Sequence, residues 1–288
     1  MGNSTQKLIL LDLDGTLTGF DGIVPASAIA ACQEARKNGH LVYLCTGRSI
    51  FDISADIKSI GFDGIASSAG ARIESGGTVI LNVVIPVKLT REIADYLESR
   101  QCGFVLEKNH IVLANAHFIE YWKNVKAELS SQPSSTLANY EAIDNLIALG
   151  TKHPAPEKFE DSHCEGVSKI VFVDSGFISL ADIRKTFAAQ CEIFDSSFPY
   201  CGKESGEISM NGIDKGTALQ KISEYHNIPL EHTIAFGDSN NDHPMLKAAA
   251  IGIAMGNASP ATKNIADYVT TSLTEDGVYN GFVKYGLI

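Results

Sequence analysis

Residues 7–18 read KLILLDLDGTLT. Leu8, Ile9, Leu10 and Leu11 form an unbroken apolar run that ends at two carboxylates, Asp12 and Asp14, and then at Gly15. A run this short, closed by glycine, fits a central strand of a parallel sheet buried on both faces. Carboxylates at the carboxyl end of such a strand lie where open α/β sheets bind ligands. Gly15 lets the backbone turn sharply, and Thr16 can hold the loop by a local hydrogen bond. Residues i and i+2 of a strand point the same way, so Asp12 and Asp14 reach one site. One carboxylate can attack phosphorus and form an aspartyl-phosphate. The other can give a proton to a leaving oxygen and later take one from water. Taken alone, the pair fits a turn residue and a cap equally well; the later segments decide.

The 288 residues allow one large domain or two ordinary ones. A chain 44% hydrophobic and 20% charged belongs with soluble globular proteins. Its formal charge of −11 argues against nucleic acid, which needs a basic patch, and against anionic membrane surfaces. No apolar run approaches the roughly 20 residues of a membrane span. The start, MGNSTQ, has no basic and apolar leader pattern, and Gln6 stands where myristoylation of Gly2 would need Ser or Thr. Six cysteines are scattered without a CxxC pair, which reads as free buried thiols in a cytoplasmic protein. The glycosylation-like matches at Asn3 and Asn257 are then chance.

Outward from the first stretch, helices are expected over 25–38 and 50–60, strands over 41–45 and 64–68, and a hairpin over 72–84. This alternation predicts right-handed βαβ crossovers and a doubly wound, Rossmann-like parallel sheet. From 86 to 204 the rhythm changes. Helices over 89–100, 117–129 and 180–190 mix with short strands over 104–107, 111–114, 170–173 and 192–194. The polar, proline-bearing segments 130–138 and 152–164 read as loops, and Phe118, Tyr121 and Trp122 as core of this part. The expectation is a core domain over 1–85 and 205–288 with an inserted α+β cap domain over 86–204. In the second core segment, a helix is expected over 215–225, a strand over 233–236, then Gly237-Asp238-Ser239-Asn240-Asn241-Asp242.

Three further segments carry chemistry. Thr46-Gly47 ends a strand, where a hydroxyl and backbone amides can hold a phosphate oxygen; a helix cap fits the segment as well. Lys215 opens a helix, a place where a lysine is usually solvated. The stretch 237–242 is rich in Asx turn residues, yet also in the hard oxygen donors that Mg²⁺ prefers.

In order and spacing these four segments resemble the haloacid dehalogenase superfamily of phosphohydrolases. DLDGTLT fits its first motif, DxDGT[LV], and GDSNND fits its fourth, GDxxND. The stretches Thr46-Gly47-Arg48, AIGIAMGNA and DYVTTSLTEDGV resemble the Cof-type branch with a C2B cap. The resemblance implies Asp12 as nucleophile and Asp14 as general acid/base. It implies Thr46, Gly47, Lys215 and Asn241 as phosphate-binding groups, and Arg48 as a residue facing the cap and substrate. Mg²⁺ would bind Asp12, Asp14 and Asp238, with Asp242 supporting the shell. One position departs from the branch: Ala69 stands where Asn is usual. The implied function is Mg²⁺-dependent hydrolysis of a small phosphomonoester, such as a sugar or cofactor phosphate. Phosphotransfer of the phosphomutase kind and a non-catalytic phospho-acceptor are the alternatives.

Overall fold

The strand Leu8–Leu11 lies at the middle of an eight-stranded sheet, with all four side chains fully buried. The computed structural model describes residues 5–19, 22–130, 137–156, 158–196 and 200–288, with side chains left out for 137–142. The readings at Gly2 and Asn3, and most of the loop expected over 130–138, lie outside those residues.

The sheet runs Tyr268–Val269, Ile251–Ala254, Thr233–Gly237, Leu8–Leu11, Leu41–Cys45, Gly64–Ser67, Arg72–Ser75, Thr78–Asn82. The first six strands are parallel, and the last two add an antiparallel hairpin. The first strand's run is continuous because its two faces bury against different layers. Ile9 and Leu11 pack with Ala28, Ala31 and Ala35 of the helix Ala26–Lys37 and with Phe282. Leu8 and Leu10 pack with Ala218, Leu219 and Ile222 of the helix Lys215–His226. Burying four such side chains contributes roughly 6–12 kcal/mol at most, as much as the net stability of an ordinary domain. The strand tips are therefore a rigid platform for whatever follows them.

The chain divides into two compact units, one of residues up to 82 and from 213, the other Val83–Gly212. In the second unit, strands Val112–Ala114, Phe104–Lys108, Val167–Phe172, Gly206–Met210 and Cys191–Asp195 form an antiparallel sheet in that order. One face packs on the helices Val87–Glu98 and Leu180–Phe187. The other carries Val105, Val112 and Val173 against Phe118 and Trp122 of the helix Ala116–Ser130.

Four expectations change. The second core segment begins at Ile213, not at 205, because Gly206–Met210 pairs with strands of the antiparallel sheet. The helix expected over 50–60 is a short 3-10 turn, Ile50–Asp52, and a separate helix, Ala55–Ser59. Ser54 parts them, accepting a capping bond from the Ile57 amide. The helices Leu137–Lys152 and Gly277–Lys284 had no counterpart in the reading.

The turn after Gly64–Ser67 explains the departure at Ala69. Ser68 and Ala69 both adopt the left-handed region, at φ 49° and 54°. Their amides bond the carbonyls of Arg48 and Thr46, at 2.7 and 3.0 Å, so the turn braces the neighbouring strand tip. Asn accepts this backbone more readily than most residues, which fits its usual place here; Ala69 keeps the backbone without the side chain. Left-handed backbone costs an L residue roughly 1–2 kcal/mol. Ala69→Gly should therefore stabilise the protein by about 0.5–1 kcal/mol in urea unfolding, although Ala→Gly in a helix or strand costs about as much. A loss of stability would count against strain at this turn.

Candidate active site

Asp12 continues the first strand by one more bond, its amide donating to the Phe236 carbonyl at 3.0 Å. Asp12 is 4% exposed, and its side chain meets the buried Lys215, whose Nζ donates to Asp12 Oδ1 at 2.5 Å. The same ammonium donates to Asp242 Oδ1 at 2.6 Å and to Asn241 Oδ1 at 3.3 Å. Lys215 is fixed because it opens the helix Lys215–His226, whose first turn is capped by Asp214. Burial alone would lower the lysine's pKa, but Asp12 and Asp242 more than offset it and keep the ammonium charged.

The loop after Thr233–Gly237 supplies the other carboxylates. Asp242 folds back over the strand tip, where its Oδ2 accepts from the Asp238 and Ser239 amides, both at 3.0 Å. That closeness requires Gly237, since a Cβ there would lie 2.5 Å from the Asp242 Cβ. Asp238 Oδ1 accepts from Thr16 Oγ1 at 3.1 Å. The Asp238 carboxylate sits directly over Gly15, whose φ is +86°.

Asp12, Asp238 and Asp242 each offer a carboxylate oxygen, and these lie within 4.8 Å of one another. Burial and the charges of Asp242 and Asp238 hold the Asp12 pKa well above the ordinary range, against the pull of Lys215. Burial and Asp242 push Asp238 up to about 6. Like charges about 4 Å apart repel by about 4 kcal/mol at an effective dielectric of about 20. Three carboxylates against one ammonium leave a deficit of positive charge in a buried, all-oxygen donor set. That set fits a hard divalent ion such as Mg²⁺. Both Asp242 oxygens are already committed to Lys215 and the loop amides, which leaves Asp12 and Asp238 as the better ligands.

Thr46 is buried at the end of Leu41–Cys45, and its Oγ1 accepts from the Arg48 amide at 3.1 Å. A Cβ on Gly47 would lie 3.5 Å from Asn241 Nδ2, so the strand-tip loop and that amide share one space. Asp14 parts from Asp12 and stands half-exposed. Arg48 grips it with a two-pronged fork, Nε to Oδ2 at 2.9 Å and Nη2 to Oδ1 at 2.6 Å. The reading of Arg48 as a cap-facing residue did not foresee this pairing. All nine residues singled out from the sequence lie in the first unit.

Two supports went unread. Thr16, noted only for a local bond, reaches Asp238 instead. Asn257 donates to the Gly15 carbonyl at 2.7 Å and accepts from the Leu273 amide at 2.9 Å, tying down the first loop. Its place in the AMGNA stretch after Ile251–Ala254 was the available signal.

Comparison with known proteins bears on this arrangement. A family model of haloacid dehalogenase-like hydrolases matches residues 9–282. The 5-amino-6-(5-phospho-D-ribitylamino)uracil phosphatase YwtE of Bacillus subtilis (strain 168) is 28% identical over 278 residues, spanning 95% of this chain and 96% of its own. Phosphatase YwpJ of the same organism is 29% identical over 300 residues, spanning 95% and 97%. A solved haloacid dehalogenase-like hydrolase from B. subtilis superposes with a TM-score of 0.78 at 28% identity, over 97% of this chain and 99% of that one. The subclass IIB sugar phosphatase BT4131 shares the fold, with a TM-score of 0.76 at 24% identity over 98% of this chain and 100% of that one.

Gly15→Ala should disrupt the cluster. Its Cβ would fall 2.3 Å from Asp238 Oδ2, at a backbone angle that L residues rarely adopt. We expect a loss of about 1–3 kcal/mol in denaturant unfolding, together with loss of Mg²⁺ binding by calorimetry. Unaltered cation affinity would mean that Asp238 is not a ligand.

Proposed function

The chain belongs to the haloacid dehalogenase-like hydrolases, in their Cof-type branch, and is a phosphatase; on that premise we propose that it hydrolyses small phosphomonoesters through an aspartyl-phosphate on Asp12. The observation that carries this reading is the convergence of Asp12, Asp238 and Asp242 on buried Lys215 at the tip of the central strand.

Asp12 attacks phosphorus in line, and the bond from phosphorus to the leaving oxygen breaks. Asp14, freed from the Arg48 fork and protonated from solvent before the attack, gives that oxygen its proton. It then takes a proton from the water that attacks the aspartyl-phosphate, which returns Asp12 and releases inorganic phosphate. The Thr46 hydroxyl, the Gly47 backbone, the Asn241 amide and Lys215 hold the phosphoryl oxygens. Arg48 orients Asp14 and meets the incoming substrate. Mg²⁺ would be held by the Asp12 and Asp238 carboxylates and the Asp14 main-chain carbonyl, and when bound it supplies neutralising charge to the phosphoryl group. Asp242 acts through its partners, fixing Lys215 and the loop that carries Asp238. The second unit is the cap domain of the sequence reading and selects the substrate.

We propose sugar phosphates and cofactor phosphates as the substrate class. Relatives named for a phosphorylated ribitylaminouracil support a polyol or cofactor precursor among them. The six cysteines, all free and buried, support a reducing cytoplasmic location. No helix among the described residues is long and apolar enough to cross a membrane.

The test is release of inorganic phosphate from p-nitrophenyl phosphate and a panel of sugar, ribityl and cofactor phosphates, with Mg²⁺ or EDTA. Turnover should require Mg²⁺, and Asp12→Asn should lower kcat by about a thousandfold or more. Undiminished turnover in Asp12→Asn would rule out the covalent route. Transfer to a sugar hydroxyl without phosphate release would favour a mutase.

Proton and cation also compete for the same carboxylates. With its pKa near 6 in the folded chain, against 3.8 ordinarily, Asp238 keeps a proton that the unfolded chain has lost. Its contribution to the metal-free protein therefore declines as pH rises from about 4 through about 6. Mg²⁺ needs the ionised form, so it should raise Tm more at pH 7.5 than at pH 5. An equal rise at both would exclude Asp238 as the titrating ligand.

A further inference from the structure

Asp238 is held by its main chain as well as by its carboxylate. Its amide donates to Asp242 Oδ2 at 3.0 Å, and its carbonyl accepts from the Ser259 amide at 3.2 Å. Ser259 caps the short helix Pro260–Ile265, which carries none of the site residues assigned above. Whatever fixes Ser259 therefore bears on Asp238.

Ser259 is fixed by Thr262, which is fully buried. Ser259 Oγ accepts from the Thr262 amide at 3.2 Å and lies 2.9 Å from Thr262 Oγ1. The same Thr262 hydroxyl lies 2.9 Å from His243 Nε2. His243 follows Asp242 directly and opens the helix His243–Ala248. Both ends of the segment 238–243 are thus tied to one buried hydroxyl, Asp238 by way of Ser259 and His243 by its own ring.

The hydrogen bonds of this chain close. A hydroxyl donates one proton and accepts others, and a neutral imidazole has one donor nitrogen and one acceptor. With Nε2 accepting, the protons run from Ser259 to Thr262 to His243. With Nε2 donating, they run the opposite way, and each partner is still met. A buried polar chain satisfied in this way rigidifies the segments it joins. Packing two short helices together does not need it, since apolar side chains would serve. A cation does need it, because Mg²⁺ demands near-ideal octahedral geometry and tolerates little displacement of a ligand.

We propose that Thr262, with Ser259 and His243, is a positioning clamp for the cation site, holding the Asp238 main chain in place beside Asp12. The inference rests on the phosphatase reading above and extends its metal site to residues that touch neither metal nor substrate.

The test uses the full chain and reads Mg²⁺ binding itself. Calorimetry should show wild type binding Mg²⁺ and Thr262→Val binding it about tenfold more weakly, the low end of what losing a supporting bond costs a metal site. Thr262→Ser keeps the hydroxyl and should restore most of the affinity. In the metal-free protein, hydrogen exchange at the 238–242 amides should be faster in Thr262→Val than in Thr262→Ser. Half-maximal turnover of p-nitrophenyl phosphate should require about tenfold more Mg²⁺ in Thr262→Val. Equal Mg²⁺ affinity in wild type and Thr262→Val, even with a lowered Tm, overturns the clamp and leaves the phosphatase reading standing. A Thr262→Ser protein that binds no better than Thr262→Val also overturns it. Wild type that binds no Mg²⁺ overturns the metal-dependent reading, and this inference with it.

Discussion

A single ammonium, Lys215, holds together three parts of the first unit that are far apart in the chain. It bonds the tip of the central strand through Asp12 and the 237–242 loop through Asp242, while its own backbone starts a helix. Removing one partner of such a buried pair costs about 3–5 kcal/mol, because the other is left charged and dry. The positive end of the helix dipole adds to the ammonium at the same place. The constraint runs both ways. The carboxylates can be this close only because Lys215 is present, and Lys215 stays charged at this burial only because they are.

The arrangement is still short of positive charge. One ammonium faces three carboxylates inside a protein wall, and the raised pKa values of Asp12 and Asp238 are the electrostatic sign of that shortage. A cation relieves it, and so does a proton. Asp14 is kept apart, although only one residue separates it from Asp12. The turn at Gly15 carries it outward to Arg48, so two like side chains at neighbouring positions meet different surroundings. The proposed mechanism needs that division, one carboxylate within the charged cluster for attack at phosphorus and one at its edge for proton transfer.

What could be read from the sequence follows the range of the physics. The buried strand, the glycine turns and the acid-rich loop are local patterns, and each announces itself within a few residues. Partnerships across the chain do not. Thr16 bonds a residue 222 positions away, and Asn257 reaches 242 positions back to Gly15. Nothing beside either residue names its partner. The strand Gly206–Met210 shows the same limit. Its short apolar alternation says that it pairs, but which sheet it joins is decided by Val167–Phe172 and Cys191–Asp195. The helix Leu137–Lys152 was missed because its Asn, Gly and Thr residues sit beside polar, proline-bearing neighbours, and packing overrides their weak propensity. At Ala69 the reading noticed a missing side chain; what the site needs there is a left-handed backbone, which Ala can supply at a cost.

The two units apply the same device to different ends. Each buries one lysine between two carboxylates, Lys215 with Asp12 and Asp242, Lys169 with Glu107 and Glu207. In each, burial works against the ammonium and the carboxylates more than offset it. Apolar side chains would hold either fold together at least as cheaply, so stability does not account for the charges. In the first unit they gather three carboxylates whose oxygens could hold a hard cation. In the second they tie three strands of the antiparallel sheet together, Glu107 and Glu207 meeting Lys169 from its two neighbours.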